Sequence, residues 1–318
     1  MMNKLNSSWI ILFIIGCSGS NILPHAAGGR DMAVIIAPSG SLYGQMLKPY
    51  LAKPLYFPSK EEVYRVIIST PEALKNYRYW RNVILIGWDG TYIDTLISPG
   101  AKKIVDAGKG LFSEQDLWVR EQTVVLLAGK NKKSVKGLIL KYGDTIYQIL
   151  RSAEKKRMKK IIYMNGFEKR ESGKMLHLLG ASYNIPLGYA HSVQDVRIMA
   201  YIRHFPDRIV TLYFEEGSKL KDPISLRDRL FKKYFEGDFV LKDYTKIDTV
   251  RFQGRKALRV IGIWQNEEKV MGGPFISYMF VKDGILYFLD GHVFSPDKKK
   301  WPYLDEVDII LHTFRTEL

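Results

Sequence analysis

Three short apolar runs near the C-terminus decide the fold of this chain. They read GRKALRVIGIW (254–264), MGGPFISYMF (271–280) and GILYFLDGHVF (284–294). Each run is rich in β-branched and aromatic residues, and short polar segments with Lys or Gly separate them. This pattern is typical of strands joined by hairpin turns. We therefore predict an antiparallel three-stranded meander between Gly254 and Pro296.

The middle run begins with two glycines and a proline, which indicates a bulge or a strand start. Alternation along the strand puts Phe275 and Ser277 on one face and Ile276 and Tyr278 on the other, and the second pair makes the better core face. We therefore expect Phe275 at the outer surface of the sheet, in a partner-binding patch: Gly272, Gly273, Pro274, Phe275 and Trp264. The alternative is that the terminal helix covers this face.

Length and charge set the general class of the protein. At 318 residues the chain exceeds the size of most single cores, so two domains are expected. A hydrophobic fraction of 46% with 25% charged residues is ordinary for a folded globular protein. The net charge of +15 favours anionic partners, although a basic surface without a dedicated partner is equally compatible with it.

The N-terminus carries an export signal. Lys4 precedes the apolar run 9–15, which is followed by Gly16 and Cys17, the single cysteine of the chain. This order is typical of a secretory signal and resembles a bacterial lipobox. The resemblance implies a signal peptide at 1–16 that is cleaved before Cys17, thioether lipidation of Cys17, and acylation of its new amine, with palmitate among the acyl groups. A tether is expected at 17–29. The alternative is a signal peptide with an incidental cysteine. Export makes nucleic acid an unsuitable partner, and Ser18 after the cysteine favours the outer membrane, facing the periplasm.

Residues 30–168 form the predicted N-terminal domain. Apolar strands alternate with short helices up to about residue 130, which predicts an α/β layer structure. From Lys132 to about Asn165 the apolar residues recur at helical spacing. The polar side of this helix is basic, and five residues are candidate contacts to an anionic surface: Lys155, Lys156, Arg157, Lys159 and Lys160. A solvated helix face is the other interpretation of the same run.

Residues 185–318 form the predicted C-terminal domain. Besides the meander, this part contains a hairpin around His204–Asp207, an inserted helix at Ser225–Phe235 capped by Asp222, and a terminal helix at Trp301–Phe314. Strands flanked by two helices predict an antiparallel-sheet sandwich of the α+β class. The whole chain is therefore expected to be an α+β protein with an N-terminal α/β layer and a long basic helix between the two domains.

Several motifs together resemble a known family. They are the lipobox, Gly29-Arg30, Ile185-Pro186-x-Gly188-Tyr189, Arg227-Asp228-x-x-x-Lys232-Lys233-Tyr234, Gly262-x-Trp264 and Met271-Gly272-Gly273-Pro274-Phe275-x-Ser277. In this order they are similar to domain-of-unknown-function family 4837, a group of bacterial envelope lipoproteins, over nearly the whole mature chain. The resemblance implies an envelope location and supplies no catalytic residues. The order of elements in 185–318 also resembles the PsbP-like fold.

Three functions fit the sequence. We favour a non-enzymatic, lipid-anchored binding or assembly factor, with the membrane, an anionic lipid or an envelope protein as its partner. The alternative is an envelope hydrolase whose site includes Asp290 and His292, which share one face of the last meander strand. A structural spacer is the third. No metal-ligand spacing or cofactor motif occurs, so we predict neither a metal nor a cofactor.

Overall fold

The computed structural model describes residues 23–38, 41–57, 59–217 and 219–316. Cys17 and the predicted signal peptide lie outside these ranges, as does the first part of the predicted tether, up to residue 22. The chain forms two compact units: the first comprises the described residues up to Pro54 together with Glu62–Glu154, and the second comprises Leu55–Glu61 and Lys155–Leu318. We refer to them as the N-terminal and the C-terminal unit.

The elements follow one another along the chain in this order. Up to the long helix they are β1 (Met32–Ile36), α1 (Ser41–Leu51), β2 (Pro54–Phe57), β3 (Ser59–Glu62), β4 (Arg65–Ser69), α2 (Leu74–Tyr77), β5 (Asn82–Trp88), α3 (Pro99–Asp106), β6 (Leu111–Gln115), β7 (Thr123–Gly129) and α4 (Lys132–Ile162). The remaining ones are α5 (Lys169–Leu179), β8 (Ala181–Ser182), β9 (Ala190–Asp195), β10 (Ile198–Arg203), β11 (Asp207–Glu216), α6 (Pro223–Tyr234), β12 (Asp238–Phe252), β13 (Arg255–Asn266), β14 (Gly272–Lys282), β15 (Ile285–Phe294), α7 (Trp301–Leu311) and β16 (Arg315–Thr316).

The N-terminal unit is built on a five-stranded sheet in the order β4-β1-β5-β7-β6. The first four strands are parallel, and β6 pairs antiparallel to β7 at the edge. The strands β1, β5 and β7 are continuous apolar runs because helices and turns cover both faces of a parallel sheet. The predicted α/β layer is thereby confirmed; the antiparallel edge strand β6 was not predicted.

The C-terminal unit is built on a seven-stranded antiparallel sheet in the order β12-β13-β14-β15-β11-β10-β9. The predicted meander corresponds to β13, β14 and β15, and their register confirms the antiparallel pairing. The predicted hairpin around residues 204–207 joins β10 to β11. The sheet therefore consists of the meander, that hairpin and two edge strands.

Helices cover both faces of this sheet. On one face α6 buries Leu226, Leu230 and Phe231 against Met279 and Phe288. On the opposite face the apolar side chains of α5 and α7 pack against the alternate sheet residues, Ile276, Tyr278, Phe280 and Leu289. Two-sided burial explains why the meander strands are apolar throughout, since alternation is visible only where one face meets water. The predicted α+β class, with an inserted helix and a terminal helix, is confirmed.

The ends of the helices agree closely with the sequence pattern. Helix α6 begins directly after Asp222, whose carboxylate accepts hydrogen bonds from the backbone N–H groups of Ile224 and Ser225. Helix α4 begins at Lys132, as predicted, and ends at Ile162, a few residues before the predicted end near Asn165. The division between the two units falls within it, after Glu154. A boundary at residue 185 would separate Met175 and Tyr183 from the core of the C-terminal unit, to which both belong.

Candidate functional site

The meander brings the motif residues of the C-terminal unit to one face of its sheet. Ser277 on β14 lies directly opposite Asp290 on β15, and Phe275 lies opposite His292. Because side chains two residues apart point to the same side of a strand, all four face α6. The buried stripe of α6 that covers them contributes Arg227. We call Arg227, Ser277, Asp290 and His292 the buried polar cluster.

The Asp290 carboxylate is the centre of this cluster. Its Oδ2 accepts hydrogen bonds from Arg227 Nε at 2.9 Å and from the Ser277 hydroxyl at 2.6 Å. Its Oδ1 lies 3.0 Å from His292 Nδ1. Hydrogen bonds to a charged group are shorter and stronger than those between neutral groups. The carboxylate therefore connects α6 with two strands of the sheet.

The cluster is enclosed by protein. The four side chains are at most 1% exposed. The Arg227 guanidinium lies between the rings of Phe231, at 3.9 Å, and Phe275, at 4.1 Å. Such cation–π contacts are favourable when water is excluded. The two terminal nitrogens of Arg227 make no hydrogen bond within the described part of the chain, so the aromatic rings and Asp290 are the contacts that stabilise its charge.

Electrostatics favour the ionised form of Asp290. Burial by itself raises the pKa of this carboxyl, but the Arg227 guanidinium and the hydrogen bonds from His292 and Ser277 more than compensate, and the pKa lies below its ordinary value. Asp290 is therefore a buried carboxylate held by its neighbours. The Ser277 hydroxyl donates to Asp290 rather than being activated by the imidazole, so the geometry does not correspond to a serine–histidine nucleophile pair.

The expected partner patch is not an exposed surface, and this expectation was wrong. Phe275 is 0% and Trp264 is 2% exposed, because α6 and neighbouring side chains cover this face of the sheet. Gly273 and Pro274 are also buried, and Gly272 is half-buried. The alternative, that a helix covers this face of the sheet, is correct in part: the covering helix is the inserted helix α6 and not the terminal helix α7.

Gly273 is required for close backbone approach. Its φ does not lie in the positive region. A Cβ atom at this position would lie 2.0 Å from the Val293 carbonyl oxygen of the neighbouring strand β15. The Trp264 indole N–H donates to the same carbonyl oxygen at 3.3 Å. The glycine thus has a packing role beside the cluster.

The five basic candidates on α4 do not share one environment. Lys156, Lys159 and Lys160 are exposed, as an anionic-surface contact requires. Arg157 is buried and Lys155 is held by carboxylates of α7, at 2.6 Å from Asp308 and 3.6 Å from Asp305. For Arg157 the expectation of an accessible charge was wrong, because it lies on the inner side of the helix. Lys155 is partly exposed, and its ammonium group is paired with Asp308 and Asp305.

A second charged group lies on the opposite face of the sheet. Asp308 on α7 accepts hydrogen bonds from Lys155 and, at 2.7 Å, from the Tyr278 hydroxyl, and its Oδ1 lies 3.3 Å from His312 Nδ1. Burial opposes ionisation of Asp308, but Lys155 and His312 hold its pKa well below the ordinary value. Burial also opposes the charge on His312, whereas the hydrogen bond to Asp308 and its charge raise the pKa of His312 overall.

Within the described ranges, no group of three or more His, Cys, Asp or Glu side chains is arranged to hold a metal ion. Within the same ranges no helix is long and apolar enough to cross a membrane. His204 and Asp207 form an exposed pair at 2.8 Å in the β10–β11 turn, which agrees with turn composition as the explanation of these residues.

The part of the chain that contains the buried polar cluster is similar to a described family. Residues 174–313 match the model of the domain of unknown function DUF4837. The resemblance expected from the sequence is confirmed for this stretch. Residues 29–163 match a different model, the domain of unknown function DUF8532. The expectation that the first family extends over nearly the whole mature chain was therefore wrong. No curated protein matches this chain.

Solved structures show only distant similarity. The PsbP protein CyanoP from Synechocystis sp. PCC 6803 has 9% identity and a TM-score of 0.32, over 48% of this chain and 90% of that one. LpqN, described as involved in cell envelope biogenesis of Mycobacterium tuberculosis, has 11% identity and a TM-score of 0.28, over 43% of this chain and 83% of that one. A protein from Bacteroides thetaiotaomicron VPI-5482 has 12% identity and a TM-score of 0.28, over 44% of this chain and 47% of that one.

Sequence reasoning identified Asp290 and His292 but missed their partners. Ser277 could have been found from strand alternation, because it shares a face with Phe275 in the strand next to Asp290. Arg227 gave a weaker signal: it is a basic residue within the apolar stripe of a helix, next to Leu226 and Leu230. Such a charge needs a buried partner, but the sequence does not say which one.

Proposed function

We propose that the chain is a lipid-anchored protein of the bacterial cell envelope that binds or assembles other envelope components and catalyses no reaction. Its anchor is an acyl group on Cys17, and it belongs in the outer membrane, facing the periplasm. The proposal rests on the signal run with its single cysteine and on the DUF4837 match at 174–313. The resemblance of the sequence to that family, a group of bacterial envelope lipoproteins, supports the same location.

The main support for a non-enzymatic role is the burial of Asp290 and the contacts that its carboxylate already makes. A catalytic carboxylate or imidazole has to reach its substrate. Asp290 and His292 are 0% and 1% exposed, and the carboxylate is already engaged by Arg227, Ser277 and His292. These bonds support a structural role, in which the pair fixes α6 on the sheet. They count against the alternative of a hydrolase built on Asp290 and His292.

The anchor is tested in the full chain expressed in a bacterial host with radioactive palmitate. Wild-type protein should carry the label and sediment with the outer membrane in a density gradient. The Cys17→Ser variant should lose the label and leave the membrane fraction. A labelled, membrane-bound Cys17→Ser variant would contradict the proposal, because the label would then have to be attached elsewhere.

The choice between binding and catalysis is tested with His292→Asn and Ser277→Ala. Asparagine retains an N–H donor for Asp290 but has no imidazole to transfer protons. We expect both variants to be folded, as measured by circular dichroism, and to recover the same set of envelope proteins from detergent extracts. Genes that encode them should substitute for the wild-type gene in the cell. A folded His292→Asn variant that fails in the cell although partner recovery is unchanged would support the hydrolase instead.

A further inference from the structure

The last turns of α4 carry positive charge on one side only. Lys156, Lys159 and Lys160 are exposed, and their spacing of three and four residues places them on one side of the helix. The other side is formed by Arg157 and Met158, which are buried. The three exposed ammonium groups therefore point away from the core of the C-terminal unit.

The surrounding stretch has no exposed acidic residue to balance this charge. Between residues 155 and 180 the exposed cationic side chains are Lys156, Lys159, Lys160, Lys169, Arg170 and Lys174. The acidic residues of the stretch, Glu168 and Glu171, are both half-buried, and Glu171 accepts a hydrogen bond from the Tyr201 hydroxyl at 3.1 Å. The charge of this surface is complementary to an anionic partner.

Exposed apolar side chains accompany the cations. Ile161 is 41% and Met164 is 73% exposed, one and four residues beyond Lys160 respectively. Apolar groups next to a basic stripe are typical of helices that lie in the headgroup region of a bilayer, where the cations bind phosphate and the apolar groups enter the acyl boundary. A polysaccharide or a nucleic acid offers the negative charge without the apolar phase.

We propose that this docking face, defined as Lys156, Lys159, Lys160, Ile161 and Met164, lies against an anionic phospholipid bilayer. The inference deepens the proposed function, on which it rests for the location of the protein at a membrane. A lysine at an anionic membrane surface strengthens binding by about fivefold, so three of them strengthen it by about a hundredfold. The docking face thus fixes the orientation of a protein whose anchor alone would leave it free to rotate.

The experiment follows the environment of residue 164 in the full chain. Because Cys17 is the single cysteine, a Cys17→Ser background with Met164→Cys has one site for a fluorescent label. The matched probe is Val270→Cys, in the turn between β13 and β14, where the native side chain is fully exposed. Each labelled protein is mixed with vesicles of phosphatidylcholine alone, or with 30% phosphatidylglycerol, that contain brominated acyl chains as quenchers.

We expect quenching at position 164 with phosphatidylglycerol vesicles, little with phosphatidylcholine alone, and little at position 270 with either. Lys156→Glu, Lys159→Glu and Lys160→Glu combined should abolish the quenching. Lys232→Glu, Lys256→Glu and Lys298→Glu combined, which change three other exposed lysines of the same unit, should preserve it. Equal quenching at both positions, no dependence on anionic lipid, or no effect of the first triple variant would overturn the proposal. Because the assay omits Cys17, its failure is distinguishable from failure of the lipid anchor.

Discussion

Arg227 and Asp290 form a buried ion pair between α6 and β15, with Nε and Oδ2 2.9 Å apart. The two residues are separated by 63 positions in the chain, and their side chains are 1% and 0% exposed. A buried charge without its partner is much less favourable than the same charge in water. The pair therefore restricts α6 to the one position on the sheet at which the two charges meet.

The ion pair predicts strong coupling between the two residues. Arg227→Met leaves the Asp290 carboxylate buried without its cation and should lower the free energy of unfolding by about 3–5 kcal/mol. The double variant Arg227→Met/Asp290→Asn should lose less than the sum of the single variants, as measured by urea unfolding. The control is the half-exposed pair Arg259–Asp248, where Arg259→Met should lose about 1 kcal/mol or less. Additive effects at Arg227 and Asp290 would contradict the structural role of the pair.

Two glycines of the C-terminal unit should respond in opposite directions to alanine. Gly273→Ala places a Cβ 2.0 Å from the Val293 carbonyl oxygen and should destabilise the unit by about 1–3 kcal/mol. Gly173 lies inside α5 with nothing within 4 Å of the position of a Cβ, so Gly173→Ala should stabilise it by up to about 1 kcal/mol through helix propensity. Thermal unfolding of both variants measures the difference, and two shifts of the same sign would disprove the assignment.

His312 predicts a pH dependence of stability at neutral pH. Its folded-state pKa is raised above the ordinary 6.5, chiefly by Asp308 acting against burial. The charged imidazole therefore contributes stability that is fully present below the unfolded-state pKa and is lost as the pH rises through the higher folded-state value. The groups that face it are Asp308, Lys155, Tyr278 and Phe252. Unfolding free energies of wild type and His312→Gln should differ more at pH 6 than at pH 9; parallel profiles would exclude this role.

The domain boundary predicts which fragment folds. Met175, Leu179 and Tyr183 are buried in one core with Val307 and Leu311, so a fragment that begins at residue 185 lacks part of its own core. We expect residues 155–318 to unfold cooperatively by circular dichroism and residues 185–318 to have no cooperative transition. Neither fragment contains the segment Leu55–Glu61, so they differ only at the N-terminal boundary. If residues 185–318 unfolded cooperatively at the same temperature as residues 155–318, the originally predicted domain boundary at residue 185 would be correct.

The sequence predicted the elements whose pattern is local. The meander, the hairpin around residues 204–207, the Asp222 cap of α6 and the long helix α4 each follow from periodicity and turn chemistry within a few residues. The edge strands β6 and β9 were not predicted, because they are only partly buried and their composition is polar. The same locality explains why Asp290 and His292 were recognised as sharing a face: strand alternation alone places them there.

By itself, the sequence determined the α+β class and the identity of most helices and strands. It also predicts the export signal with its single cysteine. Only the tertiary structure decided which face of the meander is covered, and by which helix. Phe275 and Trp264 are buried because α6, inserted between β11 and β12, packs across β13, β14 and β15 and brings Arg227 to Asp290. That contact depends on residues 63 positions apart, and no periodicity within either segment encodes it. The periodicity of a strand shows that two faces exist, whereas the path of the rest of the chain decides which of them meets water.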